Sequence, residues 1–174
     1  MKINAFEDLA NYNKHLRANP ITTIGYARKS KGRERFTTRC NLLSKMVERL
    51  EAQCLCTKIF VSPSSNANEE LEKRDTNSNN SNYLKALQVN GDMKDLCRLL
   101  NTKFKPVRLV AIDFAGLTTE PNDLRQFIRK YTQIQEVVID HGVTFSIYSR
   151  HDLLENEDII SKFNCRTGFI RRSS

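Results

Sequence analysis

The 174-residue sequence lacks several features that would assign it to a well-known class of protein. It contains no apolar run long enough to cross a bilayer, so we predict no transmembrane helix and no membrane partner. The N-terminal segment carries acids and lacks a continuous apolar stretch, which is not the pattern of a secretory signal. Neither a Walker phosphate-binding loop nor a dinucleotide-binding glycine fingerprint is present, so no nucleotide-binding class is indicated.

Cysteine pairs with the spacing of metal ligands are also missing. The five cysteines include no Cys-x-x-Cys motif, and only Cys54 and Cys56 lie close together in the sequence. Structural zinc sites need closely spaced ligand pairs, so we predict no metal site and no cofactor. An odd number of thiols without a disulfide pattern is typical of a reducing compartment, so we expect an intracellular protein, in the cytoplasm or the nucleus.

Positive charge is in clear excess. The chain has 28 Lys and Arg against 20 Asp and Glu, which gives a net charge of +8. Such an excess favours an anionic partner, and nucleic acid is the commonest one. The alternative, a protein that is basic without any such partner, stays open at this point.

Short β-branched or aromatic segments alternate with segments of helical periodicity. The predicted strands occupy residues 21–28, 57–62, 107–113 and 143–149. The predicted helices occupy residues 4–18, 38–54, 83–100 (divided at Asn90-Gly91), 122–140 and 151–163. This alternation predicts an α/β fold, a four-stranded, mostly parallel sheet with helices on both faces. We divide the chain into an N-terminal helical appendage (1–20), an α/β domain (21–150) and a short helix with a basic tail (151–174).

Two details of this assignment depend on local patterns. Residues 135–140 could form a strand, but an apolar stripe from Leu124 to Val138 favours one helix over 122–140, closed by Gly142. Thr37 or Thr38 is the expected N-cap of the preceding helix at 38–54.

The first loop at the carboxyl ends of the predicted strands carries the sharpest chemical signal. Ser30 follows the strand that ends at Arg28, in a region where ligands bind in parallel α/β sheets. Guanidinium groups nearby can stabilise a serine alkoxide and the charge of a phosphate together. A solvated basic loop with an incidental serine remains the alternative. The other cations that we predict to contact nucleic acid here are Lys29, Lys31, Arg33, Arg35 and Arg39.

The segment Tyr26-Ala27-Arg28-Lys29-Ser30 resembles the opening motif of the serine recombinase (resolvase/invertase) catalytic domain, a strand ending in Tyr-x-Arg-x-Ser. In that family the serine attacks a DNA phosphodiester and becomes joined to a 5′-phosphate, while the arginine helps to bind the phosphate. The resemblance implies a resolvase-like fold, DNA as the partner, Ser30 as the nucleophile and Arg28 as its phosphate-binding companion.

The second loop matches the same family in part. The family has a strand followed by Asp, a Ser three positions later and then a more distant Arg. Ser65 stands at the position of the family serine, whereas Ser62 stands where the acid is expected. Arg74 is the best candidate for the distant arginine. The resemblance therefore implies site roles for Ser65 and Arg74, with a polar loop of no special role as the alternative.

The third loop departs from the family pattern. The family has Asp-Arg-Leu and a second arginine close behind. Here Asp113 and Leu117 fit, so the resemblance implies a catalytic-site role for Asp113, but two extra residues lie between them and both arginines are missing. In the family these arginines hold the scissile phosphate and favour departure of the deoxyribose oxygen. Donors of this type contribute about 2.7–4 kcal/mol each, so the resemblance implies weakened or absent cleavage. The cations that could substitute are Arg33, Arg35 and Arg150.

The resemblance covers residues 21–150, because a Gly-Val pair and a last strand follow in the family's order. A long dimerising helix and a helix-turn-helix have no counterpart in this sequence, which leaves homo-oligomer formation open. We predict phosphate contacts from Arg171 and Arg172 in the tail, with a frayed basic terminus as the alternative. Two other functions stay open: a non-catalytic interaction module on the same fold, and an unrelated α/β domain such as a phosphate-ester hydrolase.

Overall fold

The structure, a computed structural model, describes residues 4–6, 9–102 and 105–165. These residues form a single mixed sheet of five longer strands and a three-residue edge strand. The strands are β1 (Asn4–Phe6), β2 (Thr22–Arg28), β3 (Lys58–Ser62), β4 (Val107–Ile112), β5 (Ile134–Asp140) and β6 (Phe145–Ser149). The helices are α1 (Leu9–Ala18), α2 (Phe36–Ala52), α3 (Ser81–Leu87), α4 (Met93–Thr102), α5 (Pro121–Lys130), α6 (Arg150–Glu155) and α7 (Glu157–Ile160). Short 3₁₀ turns occupy Leu71–Lys73 and Ser161–Phe163.

The strand order places the three loops of interest at one edge of the sheet. Along the sheet the order is β1-β6-β5-β4-β2-β3, in which β3, β2, β4 and β5 are parallel and β6 and β1 run antiparallel to their neighbours. The loops after β2, β3 and β4 therefore all leave the sheet at the same carboxyl edge. This arrangement follows from the crossover connections, because a helix must return the chain before each new parallel strand.

Helices cover both faces of the sheet, as the sequence predicts. Successive residues of a strand point to opposite faces, so that Val137 packs with the helices α4 to α7 and Val138 packs with α1 and α2. Both side chains are fully buried. Strands buried on both faces read as continuous apolar runs, which is why the segment Val107–Ile112 is nearly all apolar.

The prediction of one helix over 122–140 is wrong. Helix α5 ends at Lys130, and Ile134–Asp140 forms strand β5, which pairs with β4 on one side and with β6 on the other. Ile134 and Val138 fit the helical stripe, but Val137 and Ile139 lie off it and are buried too. Burial of neighbouring residues on opposite sides is a property of a central strand. With β5 and the edge strand β1, the sheet has six strands rather than the predicted four.

Several element ends also differ from the predictions. Gly142 does not end a helix: it lies in the β5–β6 connection with a left-handed φ of 102°. Helix α2 begins at Phe36 with Arg35 as its N-cap and without a side-chain cap, so neither Thr37 nor Thr38 fills that position. The predicted helix over 151–163 is divided at Asn156, whose side chain caps α7.

The N-terminal segment joins the main body of the fold. Residues 4–6, predicted as helix, form a strand that pairs with β6. From α1, the buried Tyr12 donates a hydrogen bond to the Cys54 carbonyl oxygen at 2.6 Å and its ring stacks on Phe145 at 4.4 Å. The division into three regions stays a prediction. Among the described residues, no helix combines the length and the apolar character that a bilayer-spanning segment requires.

Candidate active site at the carboxyl edge of the sheet

Ser30 is exposed at the carboxyl edge of the sheet, two residues beyond the end of β2. Its hydroxyl oxygen accepts a hydrogen bond of 2.7 Å from the guanidinium of Arg28. No other hydrogen bond to this oxygen is found in the part of the chain that the structure describes. The hydroxyl is thus open to a ligand and lies against a cation that would stabilise its deprotonated form.

Arg28 is held in place by the carbonyl groups of two other loops. It donates to the Ser65 carbonyl oxygen at 2.9 Å and to the Ala115 carbonyl oxygen at 2.7 and 3.0 Å. Gly116 makes this second contact feasible, because a Cβ at that position would overlap the carbonyl oxygen of Ile112. One guanidinium therefore joins the first, second and third loops around Ser30.

The first and second loops are paired beyond the ends of their strands. The Lys29 amide donates to the Ser62 carbonyl oxygen, and the Ser65 amide donates to the Lys29 carbonyl oxygen, both at 3.0 Å. The backbone of Ser65 is thereby fixed beside that of Lys29, the residue that precedes Ser30. The Ser65 side chain is buried, however, and its hydroxyl faces Asp75 at 3.5 Å rather than solvent.

Arg74 lies beneath the site and not on its surface. Its side chain is 0% exposed, and it donates to the carbonyl oxygens of Leu117 at 2.6 Å and Ala67 at 3.0 Å. Burial, together with the nearby charge of Arg74, lowers the pKa of Arg28. Two neighbouring guanidinium groups repel each other, and an anion bound to Arg28 beside Ser30 would offset that repulsion.

Asp75 is a site residue that the sequence does not reveal. Its carboxylate accepts hydrogen bonds from the Ser62 hydroxyl at 2.7 Å and from the Met93 amide at 2.9 Å. Ser62 in turn accepts one from the buried Tyr26 hydroxyl at 2.7 Å. A carboxylate thus lies against the position where the family pattern expects an acid, although it comes from 13 residues further along the chain. Burial raises the pKa of Asp75.

Asp75 also adopts a left-handed backbone with a φ of 67°. Non-glycine residues seldom adopt this conformation, although Asp and Asn do so more readily than most. No spacing rule in the sequence could have placed this residue against Ser62. Its position beside Arg74 in a polar loop is the only signal available.

The cations of the first loop fall into two groups. Lys29 pairs with Glu34 at 2.8 Å, and Lys31 pairs with Glu69 at 3.0 Å. Arg39 is buried and donates to the Ser30 carbonyl oxygen at 2.6 Å, to the Pro63 carbonyl oxygen and to Glu34. Three of the five first-loop cations that we predict to contact DNA are therefore engaged within the protein.

Arg33 and Arg35 differ from these three. Both are exposed, and the side chain of neither forms an ion pair or hydrogen bond with any of the described residues. They are the two first-loop cations whose guanidinium groups are fully available to an external phosphate.

The third loop adds no cation to the site. Asp113 has a left-handed φ of 63°, and its side chain is 74% exposed, with a carboxylate oxygen 3.9 Å from His141 Nδ1. Arg150 lies near the end of the antiparallel strand β6 and donates to the carbonyl oxygens of Tyr131 and Ile134 at 3.1 Å, so it cannot substitute for the missing arginines. The predicted contacts of Arg171 and Arg172 lie outside the described residues.

The described side chains contain no group of three or more His, Cys, Asp or Glu arranged to hold a metal ion. Comparison of the chain with family models, with curated proteins and with solved structures gave no match. None of these comparisons identifies a family, so the resemblance to serine recombinases stays a prediction from the short sequence motifs.

Proposed function

We propose that this chain is a DNA-acting domain of the serine recombinase type, in which a DNA phosphodiester binds over Ser30 and cleavage is strongly weakened. One observation carries the proposal: Arg28 donates to the Ser30 hydroxyl at 2.7 Å and to the Ser65 carbonyl oxygen at 2.9 Å. An exposed nucleophile, its neighbouring arginine and the second-loop serine thus meet at one edge of the sheet.

The chemistry expected at this site is a transfer of the phosphoryl group. The Ser30 oxygen would form a bond to phosphorus and lose its proton to solvent. The bond from phosphorus to the 3′ oxygen would break, and that oxygen would take a proton from solvent to leave as a 3′-hydroxyl. Arg28 would stabilise both the attacking oxygen and the charge that develops on the phosphate. Arg33 and Arg35 would bind flanking phosphates, which gives affinity without reading the sequence.

The expected weakness has a structural reason. Four of the five N–H groups of Arg28 are directed at Ser30 and at backbone carbonyls, and Arg74 is buried among carbonyl oxygens. The third loop supplies no arginine to assist the leaving oxygen. Two missing donors at about 2.7–4 kcal/mol each would slow cleavage by several orders of magnitude.

A gel assay with supercoiled DNA tests the proposal. After denaturation, the wild-type protein should remain covalently attached to a small fraction of the DNA, and Ser30→Ala should give no adduct while still binding DNA. Ser44, which is exposed on α2, provides the matched control: Ser44→Ala should behave as the wild type. An adduct that persists in Ser30→Ala would contradict the proposal.

A non-catalytic DNA-binding module is the second candidate, favoured by the extensive use of Arg28 and Arg74 as internal donors. Under that function, DNA binding would be equal in the wild type and in Ser30→Ala, and no adduct would form under any condition. Absence of DNA binding altogether would contradict both candidates.

A further inference from the structure

An open groove beside the candidate site has the composition of a base-binding surface. It measures about 380 Å³ and is lined by Phe36, Asn82, Lys85 and Ala86. Phe36, the first residue of α2, is 42% exposed. Its ring packs against Tyr83 with a centroid distance of 4.6 Å, so one side of the ring is supported by the protein while part of it remains open to solvent.

The charge around the groove favours an anionic ligand. Lys85 is exposed on one side, and Arg35 directly precedes Phe36. The described lining contains no acidic side chain, and the first turn of α2 has neither an acid nor a side-chain cap. The positive end of the helix dipole therefore adds to these two cations.

The groove is linked to the loop that carries Ser30 through the first turns of α2. Arg39 lies one helical turn after Phe36 on α2, and its guanidinium donates to the Ser30 carbonyl oxygen at 2.6 Å. Side chains three positions apart on a helix are neighbours, about 5–6 Å apart at Cβ. A nucleotide in the groove would thus be near the phosphate that we place over Ser30.

We propose that this groove binds one unpaired base of single-stranded DNA, with the base stacked on Phe36 and an adjoining phosphate contacted by Arg35 and Lys85. The inference rests on the proposed function, since it extends the same DNA path. Bases within a duplex are stacked on their neighbours and do not offer a free face to Phe36, so the groove selects a single strand. Loss of such a stacking contact weakens binding by roughly 5- to 150-fold.

Fluorescence anisotropy with a labelled oligothymidine, and with a duplex of the same length, tests this inference. Phe36→Leu retains an apolar side chain against Tyr83 but removes the aromatic face. It should weaken binding of the single strand by roughly 5- to 150-fold and leave duplex binding unchanged. Phe36→Tyr should bind as the wild type does. Leu42, another exposed apolar residue on α2 at 38% exposure, provides the matched control, and Leu42→Ala should change neither affinity.

The outcomes separate this inference from the proposed function. Unchanged single-strand binding in Phe36→Leu, or an equal loss for single strand and duplex, would overturn the base-binding groove. The proposed function would not be affected, because it is tested by duplex binding of the wild type. Self-association that is lost in Phe36→Leu would overturn it in favour of a protein partner. If the wild type binds the single strand through Phe36 but never binds duplex, the groove stands and the proposed function fails.

Discussion

The loop that carries Ser30 and the loop after β3 use arginine in opposite ways. In the loop after β2, Arg33 and Arg35 are exposed and pair with none of the described residues. In the loop after β3, Arg74 is 0% exposed and bonds to the carbonyl oxygens of Leu117, Ala67 and Glu69. The same residue type serves in one loop as a free charge for a ligand and in the other as an internal brace.

This difference shows what a basic composition can and cannot indicate. The sequence counts every arginine equally, and it predicts DNA contacts for Arg33, Arg35 and Arg39 alike. Arg39 is buried against the Ser30 and Pro63 carbonyl oxygens, so its charge is used to fix the loop that carries Ser30. Burial therefore decides which positive charges contribute to stability and which can contribute to binding.

The largest expected effect is the loss of stability on replacement of the buried Arg74. Arg74→Ala would leave several buried carbonyl oxygens and the Tyr26 hydroxyl without their donor. Each buried acceptor that loses its donor costs about 1–3 kcal/mol, so the loss of several should lower the free energy of unfolding by an amount that urea unfolding would measure. Arg33→Ala is the matched control and should change the unfolding free energy by less than about 0.5 kcal/mol. Equal effects of the two substitutions would contradict the contrast between the loops.

A second, intermediate effect concerns Asp75 in the same buried network. Because burial raises its pKa above the ordinary value of 3.8, the folded state favours the protonated carboxyl. The stabilisation of the folded state by the protonated Asp75 carboxyl is fully present below pH 3.8 and is lost as the pH rises through the raised pKa. The difference in unfolding free energy, wild type minus Asp75→Asn, should therefore decrease as the pH rises from 3.8 to the raised pKa. The decrease is about 1.4 kcal/mol for each unit by which folding raises the pKa.

The lowered pKa values of Glu34 and Glu69 act in the opposite direction, but they are common to both proteins and cancel in this difference. A difference that stays flat, or that rises with pH, would contradict the assignment of Asp75 as a buried acid of raised pKa.

The smallest effect on stability, and the largest on binding, is expected for the exposed pair. Replacing Arg33 and Arg35 together by Gln should leave the unfolding free energy within about 0.5 kcal/mol of the wild type. If each contacts one phosphate, the slope of log affinity against log salt should become shallower by about 1.8, because binding releases about 0.9 fewer counterions for each phosphate contact that is lost. A titration of duplex binding against salt measures this slope. An unchanged slope would place the DNA elsewhere on the chain.

Much of the fold could be predicted from local patterns, and the failures have identifiable causes. The apolar run at 107–113 and the turn at Asn90-Gly91 predict their elements correctly. Strand β5 was missed because Leu124, Ile134 and Val138 happen to share a helical stripe. The deciding fact is that β5 lies between β4 and β6, which involves residues far away in the chain.

The candidate site shows the same limit. The proximity of Ser30 to Arg28 is local, and a strand end followed by a short motif is enough to predict it. Asp75 reaches Ser62 only because a loop with a left-handed residue turns back beneath the sheet edge. Contacts of that kind depend on the path of a loop, which composition and periodicity do not encode.

The central claim is that a DNA phosphate lies over Ser30 and that assistance to the leaving group is the main deficiency. It is tested most directly with DNA that carries a bridging 3′-phosphorothiolate, in which sulfur replaces the leaving 3′ oxygen. A thiolate departs far more readily than an alkoxide because a thiol has a pKa of about 8.5. We predict that the wild type forms a covalent adduct on Ser30 with this substrate much faster than with normal DNA, and that Ser30→Ala forms none. Failure of the wild type to form an adduct with the phosphorothiolate, despite binding it, would contradict the claim.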